Sequence, residues 1–285
     1  MSRYLDIAPD SIDALVEFVA GHPRLFVLTG AGCSTESGIP DYRDVDGGWK
    51  RSPPVQFADF LSQPATRQRY WARSLVGWRH FGAARPNAAH RALAALEAGG
   101  RIDLLVTQNV DGLHERAGSQ AVIDLHGRLD VVRCMSCGHR VSRADLQREL
   151  EARNPQWAAL DARVAPDGDV DLVADDFGSM DVPSCAVCGG ILKPDVVFFG
   201  ESVPRERVDA AMAGVKRADA MLVVGSSLMV YSGYRFAEAA AAAGKPIAAV
   251  NQGRTRADHL LRIKVSARCG EVLEVLLTQA GPRPR

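Results

Sequence analysis

The chain has 285 residues, 47% of them hydrophobic, and its 34 basic and 34 acidic residues give a formal net charge of zero. This length allows one large or two modest domains with a buried core, and a neutral chain lacks the positive surface of a non-specific nucleic-acid binder. No apolar run approaches the roughly 18 residues of a membrane span, so we expect neither a nucleic-acid nor a membrane partner.

The chain begins MSRYLDIAPDSID, which contains no apolar secretory segment and is too short and acidic for a transit peptide. Six cysteines, four of them in two C-x-x-C pairs, favour metal binding in a reducing compartment over a disulfide framework. We therefore expect a cytoplasmic protein. Residues 11–20 place apolar side chains at helical spacing, which predicts a short amphipathic helix.

A glycine-rich loop follows the first predicted strand. Residues 25–28 form an uninterrupted apolar run, typical of a buried strand, and they lead directly to Gly30, Ala31 and Gly32. Glycine lets the backbone approach a ligand closely, and the N–H groups of such a turn can face a nucleotide phosphate. The motif G-x-G-x-x-G is not met, because Thr35 replaces its third glycine. A simple turn after a core strand therefore remains the alternative.

The segment after this loop is predicted to be a lid over a ligand, because SGIP ends any helix early and DYRD follows without apolar periodicity. The whole stretch GAGCSTESGIPDYRD resembles the opening motif of the sirtuins, a family of NAD-consuming protein lysine deacylases. Matching segments extend from about Leu15 to Leu276. The resemblance implies cofactor contacts from Gly30, Ala31, Gly32, Thr35, Asp41, Tyr42 and Arg43.

Three segments, RQRYWAR, PDGDV and VVGSSLMVYSGYRF, are similar to class II sirtuins, the branch typified by one of the animal mitochondrial enzymes. The first lies in residues 56–81, where aromatic residues recur between polar ones and Pro64 interrupts the pattern. This predicts two or three helices with an aromatic core.

A possible acyl-reading pair lies in the same helical segment. Tyr70 and Arg73 are three residues apart, so on a helix they share a face and could bind a carboxylate. The spacing Tyr-x-x-Arg resembles the pair that reads the acyl carboxylate in desuccinylating sirtuins. It implies a preference for succinyl or glutaryl over acetyl groups, and a packed tyrosine beside a surface arginine is the alternative.

Polar residues follow the second predicted strand. Residues 88–98 predict a helix ended by two glycines, residues 102–106 predict the strand, and TQNVDGLH stands at its end, where ligands of open α/β sheets bind. Turn capping is the alternative role for Asn109 and Asp111. The motif resembles the sirtuin segment that holds the nicotinamide ribose and carboxamide. It implies cofactor contacts from Gln108, Asn109, Val110 and Asp111, with Asn109 also among the catalytic residues.

A third short strand, residues 122–125, leads to His126. A lone histidine at a strand end is more often structural, but DLHG resembles the sirtuin segment that carries the catalytic histidine. Imidazole has an ordinary pKa of about 6.5, so it suits proton removal near neutral pH. We therefore assign the role of general base to His126.

The two C-x-x-C pairs are Cys134 with Cys137 and Cys185 with Cys188, and a glycine follows each pair. Paired knuckles of this kind converge on one tetrahedral Zn²⁺, and four thiolates leave no open coordination position. We therefore expect one structural zinc ion. A redox dithiol is the alternative, which the repetition of the motif disfavours.

A long insertion, residues 138–184, separates the two pairs, where roughly 15 to 20 residues are usual. Residues 144–153 have a helical pattern, and residues 167–176 are strongly acidic. The acidic part is either a solvated loop or, as in the class II sirtuins that it resembles, a loop that extends toward the active site.

Residues 193–201, KPDVVFFGE, are predicted to return to the main sheet. In sirtuins the matching segment pairs with the substrate backbone as an added strand, although Val197 and Phe198 could equally be core residues. The resemblance thus implies substrate contacts from Tyr70, Arg73, Val197, Phe198, Gly200, Glu201 and Val230.

The last third of the chain repeats the alternation of strands, loops and helices. Helical patterns cover residues 207–215 and 234–243, and short apolar runs at residues 220–224 and 247–250 predict strands. A second small-residue loop, GSS, follows the first of these strands, and Cys269-Gly270 precedes a final helix. The remaining cofactor contacts implied by the resemblance are Gly225, Ser226, Ser227, Asn251 and Cys269; Cys33 and Cys269 are expected to be packing residues, not nucleophiles.

Site residues at successive strand ends predict an α/β fold with a doubly wound, parallel, Rossmann-like sheet. We expect a discontinuous NAD-binding domain of residues 1–45, 85–130 and 194–285. A helical module, residues 46–84, and a zinc-ribbon module, residues 131–193, form an inserted smaller domain. NAD is expected to lie between the two domains.

The reaction that the resemblance implies begins when the acyl-lysine carbonyl oxygen attacks C1′ of the nicotinamide ribose and nicotinamide leaves. His126 then removes a proton from the ribose, so that a hydroxyl attacks the resulting imidate, and water completes the reaction. The products are nicotinamide, free lysine and O-acyl-ADP-ribose. Acylated-lysine proteins are therefore the expected partners. We expect a monomer, although the sequence does not fix the oligomeric state.

Other functions use similar motifs. A dehydrogenase fits poorly, because no acidic residue ends a second strand and no residue suits acid catalysis of hydride transfer. A protein mono-ADP-ribosyltransferase and a nonenzymatic NAD sensor remain alternatives. The intact His126 and QNVD sequence disfavour the sensor.

Overall fold

The computed structural model describes residues 9–50, 54–160, 170, 172 and 176–280. Within these ranges no helix combines the length and apolarity needed to cross a bilayer. The strands are β1 (Leu25–Thr29), β2 (Ile102–Thr107), β3 (Val122–Asp124), β4 (Gly127–Cys134), β5 (Arg140–Ser142), β6 (Leu192–Val196), β7 (Ala220–Val224), β8 (Ile247–Val250) and β9 (Ile263–Val265). The α-helices are α1 (Pro9–Gly21), α2 (Phe57–Ser62), α3 (Pro64–Ala83), α4 (Ala88–Ala98), α5 (Leu113–Ala117), α6 (Arg143–Arg153), α7 (Pro155–Ala158), α8 (Arg205–Arg217), α9 (Tyr231–Ala242) and α10 (Cys269–Ala280).

The larger sheet has six strands in the order β3-β2-β1-β7-β8-β9, and every pairing in it is parallel. The chain builds outward from β1 to β3 on one side and then crosses to β7 on the other. Strand order therefore reverses between β1 and β7, and ligands of open α/β sheets bind at such a reversal, beyond the carboxyl ends of the strands. This confirms the predicted doubly wound, parallel sheet.

The central strands β1, β7 and β8 are buried on both faces, which explains why their sequences are almost entirely apolar. In β1, Leu25 and Val27 face a core that is shared with α1, α4 and α10. Their neighbours Phe26 and Leu28 face the opposite core, to which α8 and α9 contribute. Alternate side chains of a strand point to opposite faces. In a strand that is covered by helices on both sides, every side chain therefore faces a hydrophobic core.

A smaller antiparallel sheet has the order β5-β4-β6 and carries the two cysteine pairs near its end. Helices α2, α3, α6 and α7 contribute to its hydrophobic core, in which Trp71 is 1% exposed. Arg143 at the start of α6 is also 1% exposed, and its guanidinium donates to the carbonyl of Ser74 and to Gln147. These hydrogen bonds tie α6 to α3 within the core.

The prediction that residues 193–201 return to the larger sheet was wrong. Strand β6 pairs with β4 in the smaller sheet, with Leu192 opposite Cys134, because the two cysteine pairs bring these segments together. Strands β4, β5 and β9 are not predicted by the sequence patterns. The expected domain boundaries at residues 130 and 193 fall inside β4 and β6.

The final helix and the acidic stretch were both expected from the sequence. Helix α10 begins at Cys269 itself, where the Glu36 carboxylate accepts from the backbone N–H of Gly270 and satisfies one free donor of the first turn. Of the acidic stretch 167–176, only residues 170, 172 and 176 are described, so most of PDGDV lies outside the described residues, as does the segment MSRYLDIA.

Candidate active site

A cavity of about 350 Å³ opens where the loops after β1 and β7 meet. The backbone N–H of Gly30 donates to the carbonyl of Val224 (3.1 Å), and that of Gly32 donates to the carbonyl of Gly225 (2.8 Å). Gly225 has a φ of 63°, and a Cβ on it would lie 2.2 Å from the backbone nitrogen of Cys33. Only glycine fits here, because the two loops are in direct backbone contact.

All residues predicted to contact the cofactor line this one cavity. They come from the loops after β1, β2, β7 and β8 and from the start of α10, which the parallel sheet brings to one edge. The set is Gly30, Ala31, Gly32, Thr35, Asp41, Tyr42, Arg43, Gln108, Asn109, Val110, Asp111, Gly225, Ser226, Ser227, Asn251 and Cys269.

The polar residues after β2 are tied to the loop after β1. Asn109 Nδ2 donates to the carbonyl of Gly30 (3.0 Å) and to Oγ of Ser34 (2.9 Å). The Ser34 hydroxyl in turn donates to Asp111 Oδ2 (2.7 Å). Burial raises the pKa of Asp111, and its hydrogen bonds from Ser34 and the backbone of Leu113 act in the opposite direction. Ser34 thus joins two of the predicted site residues, although its sequence context gave no sign of this role.

Gln108 fixes the position of His126. The Nδ1 atom of His126 lies 2.9 Å from the backbone carbonyl of Gln108, which can only accept, so Nδ1 carries the proton. In the neutral ring Nε2 is then the acceptor, and it lies 2.8 Å from the hydroxyl of Ser232. Burial lowers the pKa of His126 to about 4, and the charges of Arg207 and Arg235 act in the same direction. The ring is therefore a neutral base with its acceptor nitrogen at the cavity.

Ser232 is a site residue that the sequence analysis missed. It is 9% exposed, lines the cavity and lies in the first turn of α9. A serine in the first turn of a helix ordinarily suggests capping, which hides a role of this kind. Leu228, also in the cavity wall, was missed as well, although it is the one described residue other than glycine with a positive φ, 55°. Strain of this kind is concentrated at ligand sites.

The segment after β6 forms another wall of the cavity. Every predicted substrate residue except Arg73 lines the cavity: Tyr70, Val197, Phe198, Gly200, Glu201 and Val230. The backbone N–H of Val197 donates to the carbonyl of His126 (2.8 Å). Phe198 packs against Tyr70, with ring centroids 5.3 Å apart. The wall is therefore fixed relative to the histidine.

Lys193, another residue that the sequence analysis missed, anchors this wall. It is 3% exposed and forms an ion pair of 3.0 Å with Glu201, whose carboxylate also accepts from the backbone N–H of Phe198 (2.9 Å). Its ammonium also lies 4.5 Å from the centroid of the Phe198 ring. Burial lowers the pKa of Lys193, whereas Glu201 favours its charged form. A buried charge of this kind is stable only when it is paired.

The structure does not bring Tyr70 and Arg73, the predicted acyl-reading pair, together at the cavity. Arg73 does not line the cavity, and its Nε donates to the backbone carbonyl of Val170 (2.7 Å), in the insertion between the cysteine pairs. Tyr70 is 4% exposed and packs edge-on against Phe60. Tyr70 and Arg73 therefore have different surroundings, although they lie on the same face of α3.

The predicted lid, which contains DYRD at residues 41–44, is part of a segment, residues 41–50, that is folded on itself. The Arg43 guanidinium lies 4.1 Å from the centroid of the Trp49 ring and donates to the carbonyl of Gly47 (2.7 Å). Trp49 in turn contacts Phe199, with ring centroids 5.5 Å apart. These contacts join the lid to the wall formed after β6.

The four cysteines of the C-x-x-C pairs form a single cluster whose sulfur atoms all lie within 4.8 Å of one another. Cys134 and Cys188 have their sulfurs 3.5 Å apart, and those of Cys137 and Cys185 are 3.8 Å apart. Tetrahedral zinc with bonds of about 2.3 Å needs sulfurs roughly 3.8 Å apart. The backbone N–H groups of the knuckle lower the pKa of Cys134 to about 6, which favours the thiolate that a metal requires. The cluster therefore fits one structural zinc ion.

Comparisons with known proteins agree with this geometry. A family model described as the Sir2 family matches residues 30–232. A protein of Xanthomonas campestris pv. campestris (strain 8004), named NAD-dependent protein deacetylase, is 66% identical over 271 residues, which cover 95% of this chain and 92% of that protein. A protein of the same name from Bordetella bronchiseptica is 64% identical over 269 residues, covering 94% and 98%.

Solved structures are similar over the same length. A Sir2 enzyme, studied for the mechanism and regulation of this group, superposes with a TM-score of 0.76 at 32% identity and covers 96% of this chain and 98% of that one. A complex of Sir2 with a p53 peptide and NAD⁺ has a TM-score of 0.75 at 30% identity, with coverage of 95% and 98%.

Proposed function

This chain belongs to the Sir2 family and is an NAD-dependent protein deacylase, and we propose that it transfers the acyl group of an acyl-lysine side chain to ADP-ribose. NAD is its co-substrate and supplies the ribose carbon at which nicotinamide leaves. The observation that supports the mechanism best is the state of His126. Its Nδ1–H is held by the carbonyl of Gln108, so the acceptor Nε2 faces the cavity.

The base step that we propose uses this nitrogen. A ribose hydroxyl would replace the Ser232 hydroxyl at Nε2 and donate to a neutral imidazole. The carbonyl of Gln108, directly after β2, holds this ring in place. General-base catalysis needs the base within hydrogen-bond reach, and it contributes typically 10²- to 10⁴-fold. The low pKa of His126 keeps the ring unprotonated at neutral pH, so that Nε2 can accept a proton.

NAD fits the remaining residues of the cavity. The glycines after β1 and β7 leave room for a pyrophosphate against the backbone, where side chains would collide with the facing loop. We assign Gln108 and Asn109 to the nicotinamide ribose and Asp111 to the carboxamide, because their polar atoms are grouped at the end of β2. Asn251, at the end of β8, is assigned to the adenosine ribose and Cys269 to the adenine side.

The wall after β6 is assigned to the substrate peptide. Its backbone is fixed by hydrogen bonds to His126 and, through Phe199, to Phe57, and an extended peptide can add to such a segment as a strand. The acyl chain would then lie beside Val197 and Phe198. Because this surface is apolar and Arg73 is directed away from it, we propose uncharged acyl groups as substrates in place of the succinyl or glutaryl groups that the sequence implied.

Three further assignments remain proposals. We propose that the chain is of the class II type, on the basis of its RQRYWAR and VVGSSLMVYSGYRF segments. We propose the division into a discontinuous NAD-binding domain and an inserted small domain, supported by the two separate sheets. We propose a cytoplasmic location, supported by the cysteine pairs, which favour a reducing compartment.

The test is incubation of the zinc-containing protein with NAD and a panel of acyl-lysine peptides. We expect nicotinamide release that depends on the peptide and is matched mole for mole by deacylated lysine. Nicotinamide release with ADP-ribose left on the protein, seen by mass spectrometry, would instead indicate an ADP-ribosyltransferase. NAD binding without release would indicate a sensor.

A further inference from the structure

A second cluster of metal-ligating side chains lies next to Ser34, a residue of the cavity wall. It consists of Cys33, His90 and His114, from the loop after β1, from α4 and from α5. One ligand atom from each residue lies within 4.8 Å of the others. The three residues are 1%, 0% and 1% exposed, so the cluster is enclosed by protein. The proposed reaction uses none of them.

One ring nitrogen of His114, Nδ1, has no hydrogen-bond partner among the described residues. The hydroxyl of Thr29 donates its only proton to Thr107 (2.8 Å), so at 2.9 Å it can only accept from His114 Nε2. The proton of His114 is therefore on Nε2, and Nδ1 carries a free lone pair. Nδ1 is among the buried side-chain atoms that have no partner in the described part of the chain. A metal-ligating histidine is held in this way, with its other nitrogen donating to a neighbour.

His90 is suited to the same role. His90 Nδ1 lies 2.9 Å from Oδ1 of Asn87, and Nε2, which lies 3.4 Å from the hydroxyl of Ser34, becomes the ligand atom when it leaves that hydroxyl. Both rings are buried, and the neutral imidazole is the form of histidine that binds a metal.

We propose that Cys33, His90 and His114 form a binding site for Cu(I). One thiolate and two imidazoles in a trigonal arrangement are a soft ligand set of the kind that copper prefers. A monovalent ion with one thiolate is electrically neutral, whereas a divalent ion would leave a net charge in an enclosed site, which is costly. Ligand bonds of about 2.0 to 2.3 Å need donors roughly 3.7 Å apart, and the three donors already lie within 4.8 Å of one another.

Copper at this site would alter contacts in the adjacent cavity. Cys33 is followed in the chain by Ser34, whose hydroxyl lies 3.4 Å from His90 Nε2 and also donates to Asp111. Ligation of Cys33 and His90 therefore displaces the group that holds the end of β2 to the loop after β1. This coupling, which rests on the proposed function of the cavity, predicts that bound copper weakens NAD binding about 5- to 150-fold.

The test uses the zinc-loaded full chain, titrated with Cu(I) in the presence of a chromophoric Cu(I) chelator. We expect one copper per chain with the zinc retained, and an X-ray absorption spectrum of the copper with one sulfur and two nitrogen neighbours. Cys33→Ala should weaken copper binding by at least about 100-fold, because loss of an outer partner alone costs about 10- to 100-fold. Cys269→Ala removes another buried thiol, which is not in the cluster, and should bind copper as the wild type does.

His114→Gln provides a second variant if Cys33→Ala does not fold. Copper that enters only as zinc leaves, or a copper spectrum with sulfur neighbours alone, would place the ion at the four-cysteine cluster and overturn the proposal. Full copper affinity in Cys33→Ala would also overturn it. An unchanged NAD affinity in the copper-loaded protein would overturn the coupling, and these binding measurements do not depend on whether the deacylase reaction is confirmed.

Discussion

The imidazole of His126 is held between two elements, because its Nδ1 lies 2.9 Å from the carbonyl of Gln108 after β2 and its Nε2 lies 2.8 Å from the hydroxyl of Ser232 in α9. The first contact fixes the tautomer. The second occupies the nitrogen that must accept a proton, so the Ser232 hydroxyl must yield it during the reaction. We infer that Ser232 orients the ring before the substrate arrives.

Ser232→Ala should therefore lower kcat by roughly 2- to 13-fold, the equivalent of one hydrogen bond worth about 0.5 to 1.5 kcal/mol. The KM for NAD should change little, because the ring itself remains. Steady-state kinetics with an acyl-lysine peptide measure both parameters. Ser232→Thr keeps the hydroxyl and should restore most of kcat; an equal loss in both variants would argue that the position matters for packing alone.

His126→Ala removes the base and should lower turnover by on the order of 10²- to 10⁴-fold. The affinity for NAD, measured by calorimetry without peptide, should change little because the backbone of Gln108 stays in place. Turnover within threefold of the wild type would remove His126 from the mechanism.

Stability should fall as the pH is lowered from about 6.5 to 4. Burial lowers the pKa of His90 and of His126 to about 4, and it also lowers that of His114. In this window the unfolded chain takes up protons at these rings and the folded chain does not, so acid favours unfolding. Lowering the pH through this window should destabilise the folded chain by on the order of 3 kcal/mol for each of the first two rings.

Urea unfolding at a series of pH values measures this dependence. The slope of the free energy of unfolding against pH should be smaller in His126→Gln, in which one of the three rings is gone. A free energy that stays constant between pH 6.5 and 4 would contradict the predicted role of burial.

Cys134→Ser should unfold the small sheet, because binding of a structural zinc ion is coupled to folding. Metal analysis of the wild type should give about one zinc per chain. Limited proteolysis should then cleave the variant within residues 127–196 far faster than the wild type. A fully active, folded chain with less than about half an equivalent of zinc would rule out the structural role.

Arg73→Met tests the correction to the sequence-based acyl preference. Since Arg73 donates to the carbonyl of Val170 and does not line the cavity, its loss should leave the rank order of acetyl-, succinyl- and glutaryl-lysine peptides unchanged. Losing that hydrogen bond should instead lower stability by about 0.5 to 3 kcal/mol. A reversed rank order in kcat/KM would restore the original hypothesis, in which Arg73 reads the acyl carboxylate.

The parts of the fold that the sequence predicts best are those with one dominant signal. Residues 25–28 and 220–224 are apolar throughout, because both faces of the larger sheet are covered, and the glycines that follow them are required by close backbone contact. The predicted cofactor residues meet at one cavity for the same reason: a parallel sheet brings all its strand ends to one edge.

The features that the sequence did not predict depend on contacts between segments that are far apart in the chain. Such contacts leave little signal in the local sequence pattern. Strand β4 alternates irregularly between buried and exposed residues, and its partner β6 comes 58 positions later in the chain, from Cys134 to Leu192. Ser232 and Ser34 are ordinary small polar residues until the fold places them against His126 and Asp111. Arg73 lies on the same helical face as Tyr70 but donates to the carbonyl of Val170, because a shared face does not determine what each side chain contacts.

The backbone contact between the loops after β1 and β7 also limits how the cleft can move. Gly32 and Gly225 touch without an intervening side chain, so these two loops cannot slide or separate without breaking hydrogen bonds on both. The floor of the cleft is consequently a single rigid piece. Opening and closing around a dinucleotide is therefore expected at the other walls, residues 41–50 and the segment after β6, which contact each other through Trp49 and Phe199.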